Sequence, residues 1–355
     1  MKLSLNEFIW QQRSDERLQR VAPLLLALAQ SCRLIAQAVR DAALNNATGA
    51  AGSSNIQGEA QQKLDVISNE LMMAETRELV CALASEEMDD IVPCNPDADL
   101  LLVFDPLDGS SNLDVNISVG SIFSILATPK NLAGDISADS FLQNGRSQLC
   151  AGYALYGPAT MLVITTGHEV NGFTFDEHSG LFMLTHPKLC IAKEAKEFAI
   201  NTSNQRHWPQ AIQRYIAECQ AGHDGVRGRD FNMRWVASMV AEVHRILLRG
   251  GVFLYPQDAR TSAKNGKLRL LYEASPMAML VEAAGGAAST GRERLLDVRP
   301  ERLHQRVPVI LGAQSEVELI AGYCLEDIDS HALQSNTQQS RPQSRQQTLF
   351  ETLFN

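Results

Sequence analysis

The chain has no Cys-x-x-Cys pair: its seven cysteines (Cys32, Cys81, Cys94, Cys150, Cys190, Cys219, Cys324) are scattered over 355 residues. Scattered thiols argue against a zinc ribbon, and an odd count argues against a closed disulfide framework, so free and mostly buried thiols are expected. No uninterrupted apolar run reaches the roughly 18 residues of a membrane span. The first residues, "MKLSLNEFIWQQR", place Asn6 and Glu7 where a signal peptide needs an apolar centre. A cytoplasmic protein with no membrane partner is expected. Long basic runs are absent too, and the net charge is −10, which disfavours a nucleic-acid partner. An acidic chain can still take an anionic substrate, but only where cations reverse the local field.

What is present is the composition of a folded protein, 45% hydrophobic and 20% charged, in a chain long enough for two ordinary domains. Ser14 and the recurrence of Leu24, Leu25, Leu28, Ile35 and Val39 predict helix over 14–45, kinked or divided at Pro23. "ATGAAGSSNIQGE" (47–59) reads as loop, 61–84 as helix, and 100–104, 119–127 and 160–165 as strands. The pattern restarts after about residue 190, with helix over 233–248, a strand in "GGVFLYP", and "KLRLLYEASPMAMLVEAAGG" running into a helix. The expected division is an N-terminal domain 1–195, a C-terminal domain 196–329 and a disordered Gln/Ser-rich tail 330–355. The final "QQTLFETLFN" fits a sliding-clamp peptide or a short amphipathic helix, though a frayed end is the expectation.

Four stretches carry chemistry. In "LLLVFDPLDGSSN" (100–112), an apolar strand delivers Asp105 and Asp108 to a turn that Pro106 keeps out of the ladder. An Asx turn explains this pattern. So does an oxygen-rich site for a hard cation, formed by Asp105, the Leu107 carbonyl and Asp108, with the amides of Gly109, Ser110 and Ser111 facing a phosphate. "ASEEMDD" (84–90) places Glu86 beside Glu87; at a strand end they would point to opposite sides, one to metal and one to a base. "NIQGEAQQKLDVISNE" (55–70) holds Glu59 in the loop and Asp65 between Leu64 and Val66. Asp65 is either a helix-surface acid or a partly buried acceptor for a water proton, with Glu87 as its like-charged partner. "NGKLRLLYEASPM" (265–277), with Arg260 and Lys264 nearby, is the densest basic area, which a second phosphate would need. An alternating strand accounts for Lys267 and Arg269 equally well.

Together, "GSSNIQGEAQQKLDVISNE", "SEE", "FDPLDGSSN", "SVGSIFSI", "VASMVAEVHR", "GGVFLYP" and "GKLRLLYEASPMA" resemble class I fructose-1,6-bisphosphatase, from about Leu3 to Cys324. The DPLDG element alone is shared with a wider group of metal-dependent phosphatases, whereas "GKLRLLYE" and "LDVISNE" are specific to this branch. The resemblance implies a two-domain sugar-phosphatase fold of the α+β class, with mixed sheets layered between helices, assembled as a homotetramer. It further implies Mg²⁺, with Mn²⁺ as substitute, held by Glu86, Asp105, Leu107, Asp108 and Glu273. Glu59 stands where the family has an Asp that contacts a third ion. Asp65 and Glu87 would activate water, and Gly109, Ser110 and Ser111 would hold the scissile 1-phosphate. Asn201, Tyr255, Lys267, Trp235 and Arg234, the last from a neighbouring subunit, would hold the 6-phosphate, with Ser238 and Met239 against the sugar.

The implied reaction is hydrolysis of the 1-phosphate of D-fructose 1,6-bisphosphate, in gluconeogenesis or the Calvin cycle. Sedoheptulose 1,7-bisphosphatase activity and a non-catalytic sugar-phosphate-binding role are the alternatives. Trp235 and Asn204 stand where animal members have tyrosines. "RLQRVA" (17–22) and Asp99-Leu100 stand where those members carry AMP-binding "GTGELT" and Lys-Tyr, so AMP inhibition is expected to be weak or absent. Cys150 has no clustered partner, and no disulfide switch is expected.

Overall fold

The computed structural model describes residues 2–42, 44–45, 47, 49–54, 60–130, 136–260 and 265–339, with backbone alone for 50–54, 60–61 and 328–339. The first half begins with α1 (Leu5–Gln11), α2 (Glu16–Asp41), a small ribbon of β1 (Ala50–Ser54) and β2 (Ala60–Gln62), and α3 (Lys63–Thr76). Eight strands follow: β3 (Ala82–Ser85), β4 (Val92–Pro93), β5 (Leu100–Asp108), β6 (Val119–Ala127), β7 (Cys150–Tyr156), β8 (Thr160–Thr165), β9 (Val170–Asp176) and β10 (Leu181–Leu189). They form one mixed sheet in the order β10-β9-β8-β7-β6-β5-β3-β4, antiparallel except where β3 and β5 run parallel.

The second half contributes β11 (Glu197–Ala199), α4 (Gln210–Ala221), β12 (Asn232–Met233), α5 (Met239–Arg249), β13 (Val252–Tyr255) and β14 (Leu268–Arg269). It ends with α6 (Ser275–Ala283), β15 (Ala287–Ser289), β16 (Arg306–Val307), β17 (Val309–Gly312) and α7 (Gln314–Gln339). Its five-stranded sheet has the order β12-β11-β13-β17-β15 and is also mixed. Helices α2 and α3 cover one face of the large sheet, α5 and α6 lie between the two sheets, and α4 with α7 covers the far side. The expected class, mixed sheets layered between helices, is what is found.

β5 and β6 are buried along nearly their whole length, as central strands covered on both faces must be. Helix α2 is one uninterrupted helix, capped by Asp15, whose side chain accepts the Leu18 N–H at 3.0 Å. Pro23 lies inside it without dividing it. Pro23 is exposed, so the carbonyl it leaves unbonded is on the solvent side. By length and mean hydropathy (1.4) this helix passes the test for a membrane span. Its apolar side, however, is core: Leu24, Leu25, Leu28, Cys32 and Ile35 are fully buried among the first cluster of apolar residues.

Three boundaries differ from expectation. The helix expected over 61–84 ends at Thr76, and the small residues "ALAS" become β3, buried on both faces. The helix expected from 233 starts at Met239, because Ala237 adopts a left-handed φ of 64° and Ser238 caps the helix. Helix α7 runs to Gln339, ten residues into the expected disordered tail, while 340–355, including "QQTLFETLFN", lie outside the described residues.

Candidate active site

β5 brings the first two carboxylates to the site. Asp105 pairs with Ile122 of β6 and Asp108 with Gly120, so Pro106 and Leu107 bulge out opposite a single residue, Ser121. Inside the bulge the Leu107 N–H donates to Asp105 Oδ1 at 2.9 Å. Gly109 follows with φ 76°, and an added Cβ would lie 2.6 Å from that of Ser238. Only glycine satisfies both conditions. The chain then turns through Ser110–Val115 in a short 3₁₀ segment.

Glu86 leaves the end of β3 with its N–H on the Phe104 carbonyl at 3.1 Å, which ties it to β5. Glu273 sits in a wide π-helical turn, Leu270–Ala274, between β14 and α6, and accepts the Arg269 N–H. Carboxylate oxygens of Glu86, Asp105 and Glu273 lie within 4.8 Å of one another. Asp105 and Glu273 are each only 6% exposed. Burial, reinforced by Glu86 and the other acids, pushes both carboxyls well above the usual range. Three converging acids in a dry place are a strong demand for positive charge, and an all-oxygen donor set suits a hard divalent ion.

Part of that charge is built in. Arg269, 1% exposed, turns its guanidinium to within 3.4 Å of Glu86. Of the basic stretch read from the sequence, Arg269 faces the acids, whereas Lys267 lines the cavity. Asp108 is held differently. Its Oδ2 accepts the Ser238 hydroxyl at 2.6 Å and the Val240 N–H at 2.8 Å, at the first turn of α5. Burial nevertheless raises its pKa.

Asp65 lies in the first turn of α3 and accepts the Gln62 N–H at 2.7 Å. Burial is the main cause that raises its pKa to about 7; the Gln62 bond opposes the rise, Glu87 adds to it, and a Ser110 hydrogen bond lowers it. Glu86 and Glu87, expected on opposite sides, both line the cavity, because the strand gives way to a turn at Ser85.

These groups surround a cavity of about 390 Å³. Of the residues proposed from sequence, it brings together Asp65, Glu86, Glu87, Asp105, Leu107, Asp108, Gly109, Ser110, Ser111, Asn201, Trp235, Ser238, Met239, Tyr255, Lys267 and Glu273. Arg234 is not among them; half exposed, its Nε lies 3.5 Å from Glu197. Glu59 lies outside the described residues. At the sugar end, Lys267 Nζ sits 5.7 Å from the centre of the Tyr255 ring, and Trp235 stacks on Phe253 with 4° between planes. Asn201 Oδ1 already accepts from the Ser203 hydroxyl and N–H. Phe253, Leu268 and Ala237 complete the walls and were not anticipated. A larger cavity of about 810 Å³, beyond Pro256 and against α4 and α7, holds none of the converging acids.

Family models match nearly the whole described chain: fructose-1-6-bisphosphatase, N-terminal domain, over residues 3–187, and fructose-1-6-bisphosphatase, C-terminal domain, over 191–324. This chain belongs to the fructose-1,6-bisphosphatase family. A class 1 fructose-1,6-bisphosphatase of Methylobacillus flagellatus is 56% identical over 325 residues, covering 90% of this chain and 97% of that one. Among solved structures, the Leishmania major fructose-1,6-bisphosphatase in holo form superposes with a TM-score of 0.85 at 38% identity, covering 91% of this chain and 99% of that one. The T-state form of the same protein gives 0.80 at equal coverage. The chain is thus a phosphatase of the class 1 fructose-1,6-bisphosphatase type, with that family's fold.

Proposed function

We propose that this protein hydrolyses the 1-phosphate of D-fructose 1,6-bisphosphate to fructose 6-phosphate and inorganic phosphate. One observation carries the reading: a single cavity joins a cluster of acids with raised pKa, a Gly-Ser-Ser turn and, at its other end, Lys267. The donor set fits a divalent ion, with Glu86, Asp105, the Leu107 carbonyl, Asp108 and Glu273 as its holders. Mg²⁺, or Mn²⁺ in its place, supplies charge that offsets the phosphate and makes water more acidic.

The remaining work belongs to the chain. Gly109, Ser110 and Ser111 orient the scissile phosphate, and Asp65 accepts a proton from the attacking water, a role that suits a carboxyl titrating near 7. Burial keeps that carboxyl basic, and like-charge repulsion from Glu87 adds to it. Ser238 and Met239 contact the sugar; Lys267, Tyr255, Asn201 and the Trp235 N–H hold the 6-phosphate, and binding there orients the phosphate that reacts. Arg234, half exposed beside Glu197 and outside the lining of its own cavity, is assigned to that of a neighbouring subunit, and the assembly we propose is a homotetramer. We assign the enzyme to the cytoplasm, in gluconeogenesis or the Calvin cycle, with 1–195 and 196–329 as its two domains.

The test is phosphate release with Mg²⁺ from fructose 1,6-bisphosphate, sedoheptulose 1,7-bisphosphate and inositol 1-phosphate in parallel, with Asp108→Ala as control. Turnover of the fructose ester, lost in the variant, supports the reading and ranks the second sugar. No turnover of any ester by the intact protein would favour a sugar-phosphate-binding protein instead.

A further inference from the structure

Behind the bulge of β5 lies a buried pair of side chains, Ser121 and Tyr156, outside the lining of the cavity. Ser121 Oγ is 2.7 Å from the Pro106 carbonyl and 2.7 Å from the Tyr156 hydroxyl. Ser121 is 0% exposed and Tyr156 5%.

Its direction follows from what each atom is able to do. A carbonyl only accepts, so Ser121 must give Pro106 its one hydroxyl proton. Ser121 Oγ then accepts from Tyr156. The order is Tyr156 O–H to Ser121 O–H to the Pro106 carbonyl, the first bond polarising the second.

The far end of this chain is the peptide that matters. Pro106 C=O and Leu107 N–H belong to one peptide plane; its oxygen is held by Ser121 and its N–H by the Asp105 carboxylate. At the bulge no ladder partner is available, because two residues of β5 face one of β6 and Pro106 has no N–H. The Ser121 hydroxyl takes the place of the missing ladder bond.

We infer that Ser121, backed by Tyr156, is a positioning residue that fixes the Pro106–Leu107 peptide and thereby the Asp105 carboxylate and Leu107 carbonyl for divalent-ion binding. The inference rests on the ion-holding role proposed above and adds to it a link from β6 and β7 to the site. Such outer partners are typically worth about 10- to 100-fold in ion affinity.

The test reads Mg²⁺ binding without turnover, as the rise of Tm with Mg²⁺ concentration in the full-length protein. Ser121→Ala should raise the half-saturating Mg²⁺ concentration about tenfold, and Tyr156→Phe, which keeps the ring, about threefold. Ser121→Thr, which keeps the hydroxyl, should restore the value to within about twofold. A wild type that gains no stability from Mg²⁺ overturns the ion-site reading itself. A wild type that does, beside folded Tyr156→Phe and Ser121→Ala variants with lowered Tm but unmoved half-saturation, overturns the positioning role alone.

Discussion

The two ends of the cavity are built by different means. At the phosphate end, β5 and its bulge, the turn after β3 and the π-helical turn before α6 hold buried acids with hydrogen bonds to backbone. At the sugar end, Lys267, Tyr255, Asn201 and Trp235 stand on loops and short strand ends, partly open to solvent, and Arg234 faces outward. The first end is over-determined by the sheet; the second, on the reading proposed above, gains geometry from substrate and from a neighbouring subunit. Chemistry is placed where the scaffold cannot move, and recognition where it can adjust.

The sharpest break of that contrast is at the acids. Asp105→Asn, or removal of divalent ions with a chelator, should abolish measurable phosphate release, whereas no single change at the sugar end should do so. Asp65→Asn should lower kcat by about 10²- to 10⁴-fold, the usual worth of a positioned base. In the wild type, kcat/KM should climb as pH rises through about 7, because the base works deprotonated and Asp65 titrates there. Increasing Mg²⁺ should shift that limb to lower pH.

The same acids give a stability prediction with a definite sign. Asp65, Asp105, Asp108 and Glu273 all have folded-state pKa values raised above their ordinary ones. The folded, ion-free protein therefore keeps protons that the unfolded chain releases, and its stability falls as pH rises from the ordinary carboxylate range toward 7 and above. Thermal melts in chelator should show Tm dropping over that window, with Mg²⁺ recovering the loss at the alkaline side. A Tm that rises with pH under those conditions would contradict the buried-acid picture.

At the other end effects are graded. Lys267→Ala should raise KM about 10- to 100-fold while kcat changes less, as expected for one charge-assisted contact to a phosphate that does not react. The smallest effect is expected from AMP. The arginines that stand for a nucleotide-binding stretch are engaged within the chain: Arg20 pairs with Asp99 at 2.6 Å, and Arg17 donates to the Thr166 carbonyl at 2.8 Å. Sub-millimolar AMP should leave the rate unchanged, checked by phosphate release across an AMP titration; a several-fold loss would show that these arginines do not close the site.

The same contrast governs what was legible in the sequence. DPLDG and GSS could be read because their chemistry is local, with donors a few residues apart on one turn. The contact of Ser238 with Asp108 spans 130 positions, so neither the cap of α5 nor its hold on an acid is visible in either stretch. Arg269 stayed ambiguous for a similar reason: alternation with Lys267 suggested a shared outer face, while Arg269, the last residue of β14, is buried beside Glu86. The run 61–84 looked helical throughout because "ALAS" has no β-branched residue; burial between two layers, a tertiary effect, makes it a strand. Pro23 misled in the opposite direction, since an exposed carbonyl bears its loss cheaply.

The most direct test of the division between the two ends is to compare fructose 1,6-bisphosphate with fructose 1-phosphate as substrates of the wild-type protein with Mg²⁺. If the remote phosphate orients the reacting one, kcat/KM for the truncated substrate should be lower by about a hundredfold or more, with kcat itself reduced. Equal kcat/KM for the two would contradict the account, because the sugar end would then contribute nothing to the chemistry at the acids.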